Sequence, residues 1–86
     1  MRKLTLIFTL ITIVLLSFGQ ENRYWVNGSG EWHDTNHWAL TSGGLPGADM
    51  PTKATNVFVD AKSGLTDKDI IAIKQNVSLN DLSISV

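Results

Sequence analysis

Two histidines stand four residues apart in the stretch His33-Asp34-Thr35-Asn36-His37. On a helix that spacing turns both imidazoles to one face, as in the zinc pattern of two histidines with a glutamate general base between them. Here Asp34 occupies the place of that glutamate, with a side chain one methylene shorter. A zinc site also needs a third protein ligand, and the chain has no other histidine and no cysteine, so only carboxylates remain. Glycine-rich turns flank the stretch and leave room for a single helical turn. His33 and His37 are therefore the weak candidates for metal ligation. The favoured reading makes them polar surface or capping histidines between packed tryptophans, and no metal or cofactor is expected.

The remaining chemistry-bearing residues lead no further. Asp60, Asp67 and Asp69 suggest calcium, but a calcium loop of the EF-hand type needs alternating ligands, a glycine at its sixth position and a glutamate at its twelfth. Only Asp67-Lys68-Asp69 alternates, so solvated turn acids are the better reading. Gly28-Ser29-Gly30 and Gly43-Gly44 are not followed by a lysine-serine pair and a helix, as a phosphate loop requires. No serine, histidine and aspartate stand in an order that suggests a nucleophile and its base. No catalytic residue is expected. Asn27-Gly28-Ser29 fits the N-glycosylation pattern, which matters only in a eukaryotic secretory pathway.

What positions these residues begins with the amino terminus. Arg2 and Lys3 form a short positive region, residues 4–16 are apolar and uncharged, and Ser17 and Gly19 put small side chains at the −3 and −1 positions of a cleavage site before Gln20. That is the build of a secretory signal peptide. The apolar stretch through Phe18 falls short of the roughly 20 residues that span a bilayer. The export machinery is thus an expected partner through residues 1–19, no stable membrane span is expected after cleavage, and the product is expected to be secreted or on a bacterial cell surface.

Of seven basic residues two lie in the leader, leaving five against eight acids, a balance of −3. Nucleic acid would call for a basic face, so none is expected as a partner. A mature piece of about 67 residues buries only about 60% of its unfolded surface. Without cysteine it has no disulfide to supplement its core.

Along that piece the pattern is one of short strands. Residues 23–26 read as a strand, 27–30 as a turn, and 31–33 as a resumption. Residues 34–38 read as one helical turn capped by Asp34, and 41–51, with three glycines and both prolines, as a loop. Residues 56–60 read as a strand, 61–67 as a turn, and 69–73 as a second strand with isoleucines on both faces. Val77 and Leu79 alternate with polar residues. Leu82, Ile84 and Val86 alternate with Ser83 and Ser85, which predicts one buried face. The alternation still runs at Val86, and the chain is expected to be the amino-terminal piece of a longer protein.

Residues 24–38 hold three tryptophans and a tyrosine. Such rings either fill a core, each burying on the order of 200 Å² with the indole N–H on one acceptor, or stack on sugars. Packing is favoured for Trp25, Trp32 and Trp38, and ligand stacking by the same three is the alternative.

The run Tyr24-Trp25-Val26, Gly28-Ser29-Gly30, Trp32, Asp34, Asn36-His37-Trp38, then Pro51 and Val57-Phe58-Val59-Asp60, resembles the opening of large secreted, adhesin-like surface proteins of the Bacteroidota. In these the stretch looks like the amino-terminal cap of a right-handed parallel β-helix. Asn27 departs from the glycine usual there, and His33 from a small polar residue. The resemblance implies an all-β fold: a signal-peptide helix over 1–19, a Trp-rich cap and Gly/Pro loop over 20–55, and the first β-helix strands over 56–86. It also implies that Tyr24, Trp25, Trp32 and Trp38 form the cap, since a terminal coil needs a cover over its first core layer. The function it implies is that of a non-catalytic amino-terminal part of a secreted or surface adhesin. The alternatives are a small carbohydrate-binding module, with surface glycans as partners, and the amino-terminal piece of a polysaccharide-degrading enzyme.

Overall fold

The computed structural model describes residues 21–86. The predicted leader and its cleavage residues Ser17, Gly19 and Gln20 lie outside them. The described residues form an all-β fold of six strands: β1 (Glu21–Trp25), β2 (Gly30–Glu31), β3 (Trp38–Ala39), β4 (Thr55–Asp60), β5 (Ile71–Ala72) and β6 (Asp81–Ser85). Two three-residue 3-10 turns, Thr35–His37 and Ala61–Ser63, interrupt them.

The strands assemble in the order β3-β1-β4-β6 in one sheet and β2-β5 in a second. β1, β4 and β6 run parallel, with Tyr24 opposite Phe58 and Val57 opposite Leu82. β2 and β5 are parallel as well, Gly30 opposite Ile71. The chain therefore passes from the first sheet to the second along β1–β2, and again along β4–β5, laying the second passage beside the first. β3 is the exception. It lies antiparallel on the outer edge of β1, pairing Tyr24 with Ala39 and Trp25 with Trp38.

Period-two alternation decides which side chains enter the core. On β4, Thr55, Val57 and Val59 point inward and are buried, while Asn56, Phe58 and Asp60 are half-buried on the outer face. On β1 the inward residues are Arg23 and Trp25. The core is Trp25, Trp32, Trp38, Val57 and Val59, with Leu65, Ile71, Val77 and Leu79 packed partly against it.

The expected strand over 69–73 contracts to Ile71–Ala72, with Ile70 and Ile73 68% and 52% exposed. Asp69 is diverted to the preceding turn, where its carboxylate accepts from the Thr66 backbone and hydroxyl. The buried face expected for Leu82, Ile84 and Val86 is also not found: they are 45%, 63% and 78% exposed. The alternation itself is real, since Leu82 and Ile84 lie in register with buried Val57 and Val59. Among the described residues no strand pairs with the far side of β6, so nothing covers that face.

Candidate functional site

The aromatic block folds onto itself through polar contacts that the sequence supplies at short range. Trp25 donates its indole N–H to the Gly28 carbonyl at 2.7 Å, and Trp38 donates to the Trp32 carbonyl at 2.8 Å. Trp38 meets the other two rings edge-on, with centroids 5.1 Å from Trp25 and 4.7 Å from Trp32, the geometry favoured by the quadrupoles of the rings. Exposures of 0%, 4% and 0% for Trp25, Trp32 and Trp38 leave no indole face open to a sugar ring, which removes the ligand-stacking alternative for these three. Tyr24 stands apart from the cluster. Alternation turns it to the outer face, where it stacks on Phe58 at 4.9 Å.

Asp34 caps the 3-10 turn as the sequence suggests, its carboxylate accepting from the Asn36 N–H at 2.9 Å. The turn ends at His37, which is buried flat against Trp25 with ring centroids 4.5 Å apart. His37 Nδ1 donates to the Val26 carbonyl at 2.8 Å, and the His37 carbonyl accepts from the Val26 N–H at 2.8 Å. Its Nε2 edge abuts Gly30, where an added Cβ would lie 1.9 Å away. Nδ1 is thus committed to the Val26 carbonyl, while the Nε2 edge faces Gly30 with no hydrogen-bond partner among the described residues. His33 lies before the turn begins and is half-buried. Among the described residues no group of three or more histidines and carboxylates could hold a metal ion.

The two turns that join the sheets are clasped to each other. Gly28 and Gly64 both adopt left-handed backbone conformations, with φ of 68° and 77°. A Cβ on Gly28 would come within 3.1 Å of the Gly64 carbonyl oxygen, so the paired turns need glycine for closeness as well as for φ. Beside them Ser29 donates to Asp69 at 2.8 Å and accepts from the Ile70 N–H at 3.0 Å. The Ser29 hydroxyl, followed by the Thr66 N–H and hydroxyl, holds the Asp69 carboxyl below its ordinary pKa by stabilising the charged form. Asp60 performs a related task at the end of β4. It accepts from the Lys62 N–H and from Ser42, while its own N–H donates to buried Ser63.

The two ends of the parallel stack differ. At the β1 end, β3 pairs with the Tyr24–Trp25 part of the sheet edge, and Arg23 is turned to the inner face of β1. Arg23 is 8% exposed and donates to the Asp49 carbonyl at 2.7 Å, the Asn22 carbonyl at 2.9 Å and Glu21 at 3.3 Å. At the β6 end a strand edge and the apolar pair Leu82 and Ile84 are open. A row of amides runs between the ends. Asn56 donates to Asn22 at 3.3 Å, and Asn80, one residue before β6, donates to Asn56 at 2.8 Å.

Arg23 and this amide row were not among the residues singled out from the sequence. A signal for them exists in the repeated spacing Asn22-x-Tyr24 and Asn56-x-Phe58, displaced by 34 positions. The third member, Asn80, follows Asn56 after a shorter passage and lacks the aromatic, which hides the repeat. Comparison with protein-family models, with curated proteins and with solved structures gives no match, so the functional reading stands on this geometry.

Proposed function

We propose that this chain is the exported amino-terminal cap, with the first coils, of a β-solenoid surface protein of adhesin type, and that its role is structural, not catalytic. The observation that carries the reading is the asymmetry of the stack. Each parallel strand lies on the preceding one, the first edge is covered at its Tyr24–Trp25 end by an antiparallel strand and carries an inward arginine, and among the described residues the last presents unpaired backbone and uncovered apolar side chains. Open edges invite pairing and are normally blocked, charged or covered. A cap blocks one edge and hands the other to its neighbour, because a coil cannot bury its apolar face alone. The buried tryptophans supply the end cover that such a layer needs. The predicted leader supports delivery to the cell surface or beyond.

Sequencing the encoding locus past the Val86 codon tests the reading. In-frame alternating strands, recurring at about the 25-residue spacing that separates Asn56 from its partner Asp81, are the expected result. A stop codon directly after Val86 would overturn it.

A further inference from the structure

We propose that Asn27 is a site of spontaneous deamidation, and that the clasp between the turns at Gly28 and Gly64 holds the reaction off in the folded chain. Asn27 alone among the asparagines is followed by glycine; Arg23, His37, Val57, Val77 and Asp81 follow the others. In such a pair the Gly28 backbone nitrogen loses its proton and attacks the side-chain carbonyl carbon of Asn27. The new N–C bond closes a cyclic imide, the bond to Nδ2 breaks, and ammonia carries that nitrogen away. Water then opens the imide at either carbonyl. One opening leaves aspartate; the other leaves isoaspartate, with the main chain rerouted through the former side chain. Glycine favours the attack because it has no Cβ to crowd the nitrogen or restrict its approach.

Asn27 is exposed, so burial does not protect it. Hydrogen bonds do, because they hold both reacting groups. The nucleophile, the Gly28 N–H, donates to the Ser63 carbonyl at 2.9 Å. The leaving amide, Asn27 Nδ2, donates to the Asn36 carbonyl at 2.7 Å. The backbone between them is fixed at φ of 69° and 68°, with Gly28 pressed against Gly64. Ring closure therefore requires the clasp to open first. Either product then prevents its return. A carboxylate at position 27 has no proton for the Asn36 carbonyl. Isoaspartate also inserts a methylene into the main chain just before Gly28, whose N–H serves Ser63 and whose carbonyl accepts from the Trp25 indole. A chain that reacts while open does not regain the closed turn.

Incubating the full chain in mildly alkaline buffer, with urea raised in steps, tests the proposal. Peptide mapping by mass spectrometry locates the conversion of amide to acid, and amide exchange of Gly28 is followed at the same urea concentrations. A short peptide spanning residues 24–30 corrects for any effect of urea on the chemistry itself. Conversion of Asn27 should be about tenfold or more slower without urea than in the unfolded chain, since local opening must precede attack. It should rise in step with Gly28 exchange, and in the unfolded chain it should precede conversion of every other asparagine. Chains carrying isoaspartate should keep fast Gly28 exchange after urea is removed. Equal rates in the folded and unfolded chain, or a rate that does not follow Gly28 exchange, would overturn the gate. Earlier conversion at another asparagine would overturn the site. Return of slow Gly28 exchange in the modified chain would overturn its one-way character.

Discussion

Gly30 and the imidazole of His37 are in direct apposition: a single added methyl group at Gly30 would lie 1.9 Å from His37 Nε2. His37 cannot retreat, because its other face lies on Trp25 and its Nδ1 is bonded to the Val26 carbonyl. Gly30→Ala is therefore expected to destabilise the fold by about 1–3 kcal/mol, the usual range for overpacking. The double variant Gly30→Ala, His37→Ala should recover part of the loss. Urea denaturation followed by tryptophan fluorescence measures both. Full additivity of the two single losses would argue against the steric account.

Burial of the indoles predicts the solution optics of the protein. Iodide should quench native tryptophan emission weakly and urea-unfolded emission strongly, and polysaccharides should leave the native spectrum unchanged. Trp25→Ala is expected to cost about 3–5 kcal/mol, enough to unfold most of a domain this small. A native spectrum that shifts on adding a glycan would reopen a binding role for these rings.

Acid stability should depend on Asp69. Its folded pKa is depressed by Ser29 and Thr66, so its contribution is present above the pKa of the unfolded chain and is lost as pH falls through the lower folded value. Melting temperature measured between pH 2 and pH 6 should fall on acidification, and Asp69→Asn should flatten that fall in the region below about pH 4. Ser29→Ala should act in the same direction through the same carboxylate. Parallel curves for D69N and the unaltered chain would dismiss the clasp as a source of acid sensitivity.

Two aliphatic positions on one face of the sheet should respond very differently to truncation. Val57 is wholly buried and Ile84 is 63% exposed, although both point to the same side of the sheet. Val57→Ala is expected to cost about 2 kcal/mol, while Ile84→Ser should stay within about 0.5 kcal/mol and reduce the binding of a hydrophobic dye. A large loss from Ile84→Ser would mean that β6 is covered in solution.

Arg23 should matter more than a surface arginine. Arg23→Ala removes a buried side chain together with its hydrogen bonds to the Asp49 and Asn22 carbonyls, and a cost of about 1–3 kcal/mol follows from the lost packing and bonds. Arg23→Lys restores the charge without the forked donor geometry and should recover only part. Equality of the lysine variant with the unaltered chain would assign the effect to charge alone.

Much of the local structure was legible before any contact was known. The strand at 56–60 announced itself by its β-branched and aromatic residues, the turn at 35–37 by Asp34, and the loop at 41–51 by glycine and proline, because each reflects backbone preferences that act within a few residues. Periodicity also marked Leu82 and Ile84 as one face, and that is correct as a statement about direction. Whether the face is buried was not legible, because burial requires a neighbour, and local sequence does not say whether one is present. For the same reason the sequence offered His33 and His37 as a pair, while the fold used His37 as a plate against Trp25 and stopped the turn before a pair could form. The parallel stacking that links the side-chain amides of Asn22, Asn56 and Asn80, the antiparallel β3 that covers one end of an edge, and the inward turn of Arg23 depend on contacts between residues tens of positions apart. Chain closure over such distances is decided by the total packing of the sheet, so only the tertiary structure could set them.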